Sequence, residues 1–314
     1  MNINKSLIES FSKTTLRGAY GASLYKGKND KIAADQAAVD EMRNELNKIN
    51  MKGKIVIGEG ELDEAPMLYI NEKVGTGLGE ELDIAVDPLE GTNFTAKNLP
   101  NALSVLAVTK KGNLLHAPDI YMDKIAIGPD LPKNLIDLDF GVAENINKLS
   151  DAKKILPNKL TACILKRPRH NDIIKTLEKM GVKINFISDG DVSGVMSVGI
   201  SKMNTDIYFG IGGGPEGVLA AAALKCMGCQ MQTRLVFQNS KEEMRAKSLG
   251  IKDLNKKYNI DEMVKGDVIF SATGVTDGDL VNGIRDLGEN FSSETLVLHY
   301  GTKTNKIIKI QSKK

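Results

Sequence analysis

From residue 161 onward the chain alternates β-branched apolar runs with helical ones, and this rhythm limits the fold more than any other feature. Residues 161–165, 182–187 and 206–210 read as strands, and 171–180, 192–197 and 216–225 read as helices. Strands separated by helices predict βαβ units around a parallel sheet. The first half has a different pattern. Leu7, Ile8, Phe11 and Leu16 mark one helical face over residues 4–24, and a second helix is expected over 33–49. Strands are expected at 55–57 and 82–86. Hairpins are expected where 102–108 meets 114–117 and where 295–300 meets 307–310. Residues 129–158 are rich in Pro, Asn, Asp and Lys and hold the expected boundary. The expectation is an α/β protein with an α+β domain at 1–158 and an α/β domain at 159–314. A chain of 314 residues suits about two domains.

Composition removes several function classes. Lys and Arg total 42 against 40 Asp and Glu, a formal net charge of +2, so a general nucleic-acid binder is not expected. Three cysteines are too few for a disulfide framework in a chain of this length. No apolar run reaches the ~18 residues of a membrane span, and the first residues carry no signal-peptide core. A cytoplasmic protein is the expectation.

The hexapeptide Asp87-Pro88-Leu89-Glu90-Gly91-Thr92 directly follows the apolar run 82–86. It sets two carboxylates and a hydroxyl on one tight turn, with Pro88 fixing φ and Gly91 admitting a conformation other residues resist. Oxygen ligands on such a turn suit a hard divalent cation, Mg²⁺ or Mn²⁺. A hydroxyl beside them can position a water for attack on phosphorus. Three further acids stand at strand ends or helix starts: Asp35, Glu59 in Gly58-Glu59-Gly60, and Glu216 in Gly212-Gly213-Gly214-Pro215-Glu216-Gly217. Ligand sites of α/β proteins gather at the carboxyl ends of strands. Five carboxylates in one cleft repel one another unless cations sit between them.

Residues 212–217 also fit G-x-G-x-x-G between a strand and a helix, which keeps a dinucleotide-dependent oxidoreductase as an alternative. Against it, Glu216 puts a negative charge at the pyrophosphate position, and no acid follows about 20 residues on to hold a ribose. Arg167-Pro168-Arg169-His170 after strand 161–165 reads as a phosphate clamp or as a solvated basic turn. Asp189-Gly190-Asp191 offers acceptors for sugar hydroxyls, or a plain turn. Cys226-Met227-Gly228-Cys229 lacks the second pair of a zinc site and reads as buried helix near a glycine cap. None of the three histidines is assigned a proton-transfer role.

Taken together, residues 58–68, Asp87 to Thr92, Ala117-Pro118-Asp119-Ile120-Tyr121-Met122, Arg167 to His170 and Gly212 to Gly217 resemble class II fructose-1,6-bisphosphatases of the GlpX type. These belong to the lithium-sensitive, metal-dependent sugar phosphatases. The resemblance implies a layered α/β/α/β/α fold with the site between two domains. It also implies hydrolysis of fructose 1,6-bisphosphate with Mg²⁺ or Mn²⁺. It assigns Asp35, Glu59, Asp87, Glu90 and Glu216 as metal ligands, with the Leu89 carbonyl as a further one. Thr92 orients the attacking water, Glu59 helps remove its proton, and Asp87 completes the catalytic set. Glu90, Gly91 and Thr92 face the scissile phosphate. Tyr121, Arg167, Pro168, Arg169, Asp189, Gly190, Asp191 and Gly213 hold the sugar and its distal phosphate. A homodimer or homotetramer is implied, with sedoheptulose 1,7-bisphosphate as a second substrate in the alternative. A non-enzymatic sugar-phosphate sensor is the third reading. The chain departs from the family pattern at Lys28-Asn29, at Arg167 where Lys is common, and at Asn93-Phe94; none of these removes a proposed ligand.

Overall fold

The stripe of Leu7, Ile8, Phe11 and Leu16 is the inward face of helix α1 (Leu7–Ser23). Helix α2 (Lys31–Leu46) is opened by Asp30, whose carboxylate accepts from the Ala33 amide at 2.9 Å. Val39, Met42 and Leu46 of α2 join Phe11 over the strands β1 (Met51–Ile57), β2 (Lys73–Val74), β3 (Glu80–Glu90) and β4 (Leu103–Lys110). The short helix α3 (Thr92–Ala96) joins β3 to β4. The chain continues through β5 (Tyr121–Ile127), α4 (Gly141–Lys153), β6 (Thr161–Leu165), α5 (Asn171–Lys179), β7 (Lys183–Ile187) and α6 (Asp191–Met196). Next come β8 (Ile207–Gly213), α7 (Gly214–Met227), β9 (Gln230–Val236), α8 (Ser240–Ser248), β10 (Lys257–Asn259) and α9 (Ile260–Met263). The last strands are β11 (Val268–Gly274), β12 (Arg285–Asp286), β13 (Asn290–His299) and β14 (Thr304–Lys313). This computed structural model describes residues 2–58 and 68–314. No helix among them is long and apolar enough to cross a membrane.

The elements form two sheets in two units, a mixed α/β architecture of the expected class. One unit is Met1–Leu115 with Val264–Lys314; the other is His116–Met263. The first sheet runs β12-β13-β11-β4-β3-β1-β2, with β14 added on β13. Among the described residues only β1 and β3 pair in parallel there; β3, β4, β11, β13 and β14 alternate in direction. Strands β3, β4 and β11 are buried along nearly their whole length, which is why their sequences read as continuous apolar runs. Asp267, 5% exposed, closes this unit just before β11. Its Oδ2 accepts from the Ile3 amide at 2.8 Å and pairs with His299 Nε2 at 2.9 Å; its Oδ1 accepts from the Gly301 and Val268 amides at 2.7 and 3.0 Å.

The second sheet runs β10-β9-β5-β8-β6-β7. Strand β6 is parallel to β7 and β8, as the alternation from residue 161 predicts. Strand β5 runs antiparallel to both β8 and β9, so the sheet is mixed rather than parallel. Strand β5 precedes the βαβ run and slots between two strands that follow it. Its side chains alternate in destination. Ile125 and Ile127 pack with Ile146 and Leu149 of α4 and Leu177 of α5, while Met122 and Lys124 lie against α7 at Gly217.

Two further expectations are corrected. The boundary expected at 158/159 falls inside the second unit, because β5 and α4 share one apolar core with β6, α5 and β8. Residues 264–314 belong to the first unit because β11 pairs with β4 along Val268–Gly274, a pairing too distant in sequence to be read locally. The expected hairpin between 102–108 and 114–117 does not form. Both edges of β4 are taken, by β3 and β11, and Leu114 makes only an isolated bridge with Val264. The C-terminal hairpin is found, closing from His299 opposite Thr304.

Candidate functional site

The hexapeptide 87–92 does not follow a strand that ends at residue 86; its first four residues are the end of β3. Asp87 stands opposite Val105 and Glu90 opposite Leu103, so one extra residue is taken up in a bulge between them. Pro88, which has no amide to donate, sits where the ladder is interrupted. The Leu89 amide donates to Asp87 Oδ1 at 3.1 Å. Gly91 then turns left-handed, with φ +82° and ψ +50°, and Thr92 becomes the first residue of α3. Bulge and glycine together place Asp87, Glu90 and Thr92 at one strand end. Glu90 is 4% exposed, and Asp87 and Thr92 are half-buried.

Asp35 is half-buried in the second turn of α2. Its neighbours Ala34 and Ala38 share an apolar cluster with Leu89 and Ala102, which docks the helix bearing Asp35 onto the strand bearing Asp87 and Glu90. Glu59, with the rest of the motif at 59–67, lies outside the described residues. Among the described residues, no three His, Cys, Asp or Glu side chains are gathered closely enough to hold a metal.

In the second unit, Glu216 is the third residue of α7. Its Oε2 is buried without a hydrogen-bond partner. Burial pushes the carboxyl above the usual range, against the opposing pull of the Lys124 ammonium. An oxygen donor that is buried and lacks a partner fits a hard cation, which supplies the missing partner and favours the charged carboxylate. The same carboxylate argues against a pyrophosphate in the glycine loop. A Cβ on Gly213 would overlap Glu216 Oε2, so the space that the glycines open is filled from within.

The turn after β6 is built around the Ile211 peptide. Its amide donates to His170 Nε2 at 2.8 Å, so Nδ1 carries the proton and donates to the Leu165 carbonyl at 2.6 Å. His170 is fully buried, and burial pushes its pKa down, which keeps it the neutral scaffold these bonds require. The Ile211 carbonyl accepts from Arg169 Nε and Nη2 at 2.9 and 2.7 Å. The Arg169 guanidinium also lies 4.7 Å above the Tyr121 ring. An exposed arginine is thereby held on a fixed platform of carbonyl and ring. Arg167, half-buried, donates to the Lys166 carbonyl at 3.2 Å, and Pro168 opens the short turn that carries Arg169.

Gly190, with φ +77°, precedes α6. Asp189 is half-buried, and its Oδ1 accepts from the Gly190 amide at 3.2 Å. Asp191 is 8% exposed; Lys124 Nζ donates to its Oδ2 and the Tyr208 hydroxyl to its Oδ1. Each oxygen of the Asp191 carboxylate therefore already has a partner within the protein. Lys124 and Tyr208 went unnoticed in the sequence. The available signal was Lys124 standing between Met122 and Ala126 on the inward alternation of β5. Cys226 lies in the last turn of α7 and is half-buried, where burial was expected, while Cys229 follows the left-handed Gly228 cap and is buried. Burial pushes the Cys163 and Cys229 thiols up to about 12, which makes neither a nucleophile.

Residues 5–312 match the family model of bacterial fructose-1,6-bisphosphatase, glpX-encoded. The chain is 42% identical to the class 2 fructose-1,6-bisphosphatase of Haemophilus influenzae, covering 99% of this chain and 96% of that protein. It is likewise 42% identical to fructose-1,6-bisphosphatase 1 class 2 of Escherichia coli K12, covering 99% and 95%. A Synechococcus protein named D-fructose 1,6-bisphosphatase class 2/sedoheptulose 1,7-bisphosphatase is 40% identical, covering 93% of this chain and 91% of that one.

Proposed function

Because this chain belongs to the glpX-encoded bacterial fructose-1,6-bisphosphatase family, we propose that it hydrolyses the 1-phosphate of fructose 1,6-bisphosphate to give fructose 6-phosphate and inorganic phosphate. The observation that carries the reading is a family match along nearly the whole chain, with Asp87, Glu90 and Thr92 presented together at the end of β3. Asp35, Glu59, Asp87, Glu90 and Glu216 are the proposed ligands of Mg²⁺ or Mn²⁺. A cation held by these carboxylates would lower the pKa of a nearby water and neutralise charge on the phosphate. Thr92 Oγ1 orients that water opposite the leaving sugar oxygen, and Glu59 takes its proton. The amides of Gly91 and Thr92 face the scissile phosphate. Arg169, on its Ile211–Tyr121 platform, receives the distal phosphate together with Arg167 and Pro168. Asp189 offers the sugar its free acceptor, with Gly190, Asp191 and Gly213 contributing backbone. The working enzyme is proposed to be a cytoplasmic homodimer or homotetramer.

Phosphate release from fructose 1,6-bisphosphate, measured with Mg²⁺, with Mn²⁺ and with chelator, tests the reading directly. Metal-dependent release is expected; folded protein that releases none with either metal refutes it. The Synechococcus relative is named for both activities, which favours sedoheptulose 1,7-bisphosphate as a second substrate, and the same assay measures its share.

Thr92→Ala is expected to lower kcat about 10²-fold, the usual loss when a reacting group is mispositioned, while Mn²⁺ binding stays unchanged. Full kcat in this variant would remove the role given to the hydroxyl. Arg169→Ala is expected to raise KM about 10- to 100-fold, since hydrogen bonds to charged groups contribute roughly 1.5–3 kcal/mol. Its kcat at saturating substrate should hold. The opposite pattern, a fall in kcat at constant KM, would place Arg169 at the reacting phosphate instead.

A further inference from the structure

Lys124 is fully buried, with its side chain 0% exposed, and it belongs to none of the motifs that define the site. A buried ammonium needs a close counter-charge. Lys124 has one in Asp191, whose second oxygen is held by Tyr208, also fully buried. The same ammonium also draws on the buried carboxylate of Glu216. Three glycines make room for this group. A Cβ on Gly212 would overlap the Asp191 carboxylate and lie 3.0 Å from Lys124 Nζ; one on Gly217 would lie 3.0 Å from Lys124 Cε and 2.5 Å from Met122 Sδ. A Cβ on Gly213 would overlap Glu216. The glycine loop thus serves an internal charge cluster contributed by β5, α6, β8 and α7.

We propose that Lys124 is a positioning residue of the phosphatase site: by holding Asp191 at the start of α6 and facing Glu216 at the start of α7, it fixes the orientation in which Glu216 presents its buried oxygen to the cation. The proposal rests on the reading of Glu216 as a metal ligand. It separates the roles of the two acids in the second unit, with Asp191 as anchor and Glu216 as donor. Groups that orient a metal ligand typically change metal affinity by 10–100-fold when removed.

The test is Mn²⁺ binding to the substrate-free full chain, followed by titration calorimetry and by the electron paramagnetic resonance of free Mn²⁺. Lys124→Met, similar in volume, is expected to weaken Mn²⁺ binding about 10- to 100-fold, and Glu216→Gln to weaken it at least as much. If Lys124 acts through Glu216, the double variant binds no more weakly than Glu216→Gln alone. Additive losses, or full affinity in folded Lys124→Met, would overturn the proposal. Tyr208→Phe removes only one hydroxyl from the cluster and serves if Lys124→Met does not fold. Its affinity is expected to fall in the same direction, and unchanged affinity would overturn the proposal. Failure of the wild-type chain, or indifference of Glu216→Gln, would instead overturn Glu216 as a ligand.

Discussion

Replacing Asp87 by alanine is expected to abolish phosphate release, lowering kcat/KM at least about 10³-fold. Cation stabilisation of a phosphoryl transition state amounts to several kcal/mol, and each 1.36 kcal/mol is a factor of ten. Asp87 carries more than its own charge. Its Oδ1 accepts the Leu89 amide across the bulge of β3, so the substitution also loosens the turn that presents Glu90 and Thr92. Asp87→Asn separates the two contributions. It retains an oxygen for the Leu89 amide but removes the negative charge, and should remain close to inactive. Steady-state phosphate release over a wide Mn²⁺ range is the measurement. Recovery of Asp87→Ala to near wild-type kcat at high Mn²⁺ would show that the carboxylate is dispensable in the reaction.

Asp267→Ala is expected to give the largest loss of stability. Both oxygens of this carboxylate are used inside the first unit, toward the Ile3, Val268 and Gly301 amides and toward His299. Removing one partner of a buried charged network costs about 3–5 kcal/mol, because the remaining groups stay buried without partners. For a unit of this size each kcal/mol moves Tm by roughly 2–4 °C, so a fall of roughly 6–20 °C is expected by thermal scanning. Asp267→Asn, which keeps the shape and one acceptor, should fall less. A shift under about 2 °C for the alanine variant would show that water replaces the lost bonds.

What the sequence made legible was local. Pro88 and Gly91 announce a turn whatever surrounds them, and the bulge and left-handed residue are found there. The strand–helix rhythm after residue 161 predicts the parallel pairing of β6 with β7 and β8. What stayed hidden depends on partners distant in the chain. The apolar pattern of 114–117 suits a hairpin, but β11 takes that edge of β4 from far along the sequence. The inward alternation of β5 marks Lys124 as covered, but its pairing with Asp191 depends on a partner distant in the chain and could not be seen. Asp189 and Asp191 look equivalent in the sequence. Burial and the Tyr208 hydroxyl make one an anchor and leave the other half-buried.

The return of residues 264–314 to the first unit has a consequence for synthesis on the ribosome. When β4 emerges, β3 can pair with one of its edges, but the partner of the other edge is β11, which follows only after all of residues 116–263. At roughly 5–20 residues per second, that apolar strand waits on the order of ten seconds with half its hydrogen-bonding groups unpaired. An open edge of this kind is a template for aggregation. The later unit, continuous in the chain and with its own core, can finish folding first. Nascent chains arrested before Val268 are therefore the species that should most need a chaperone.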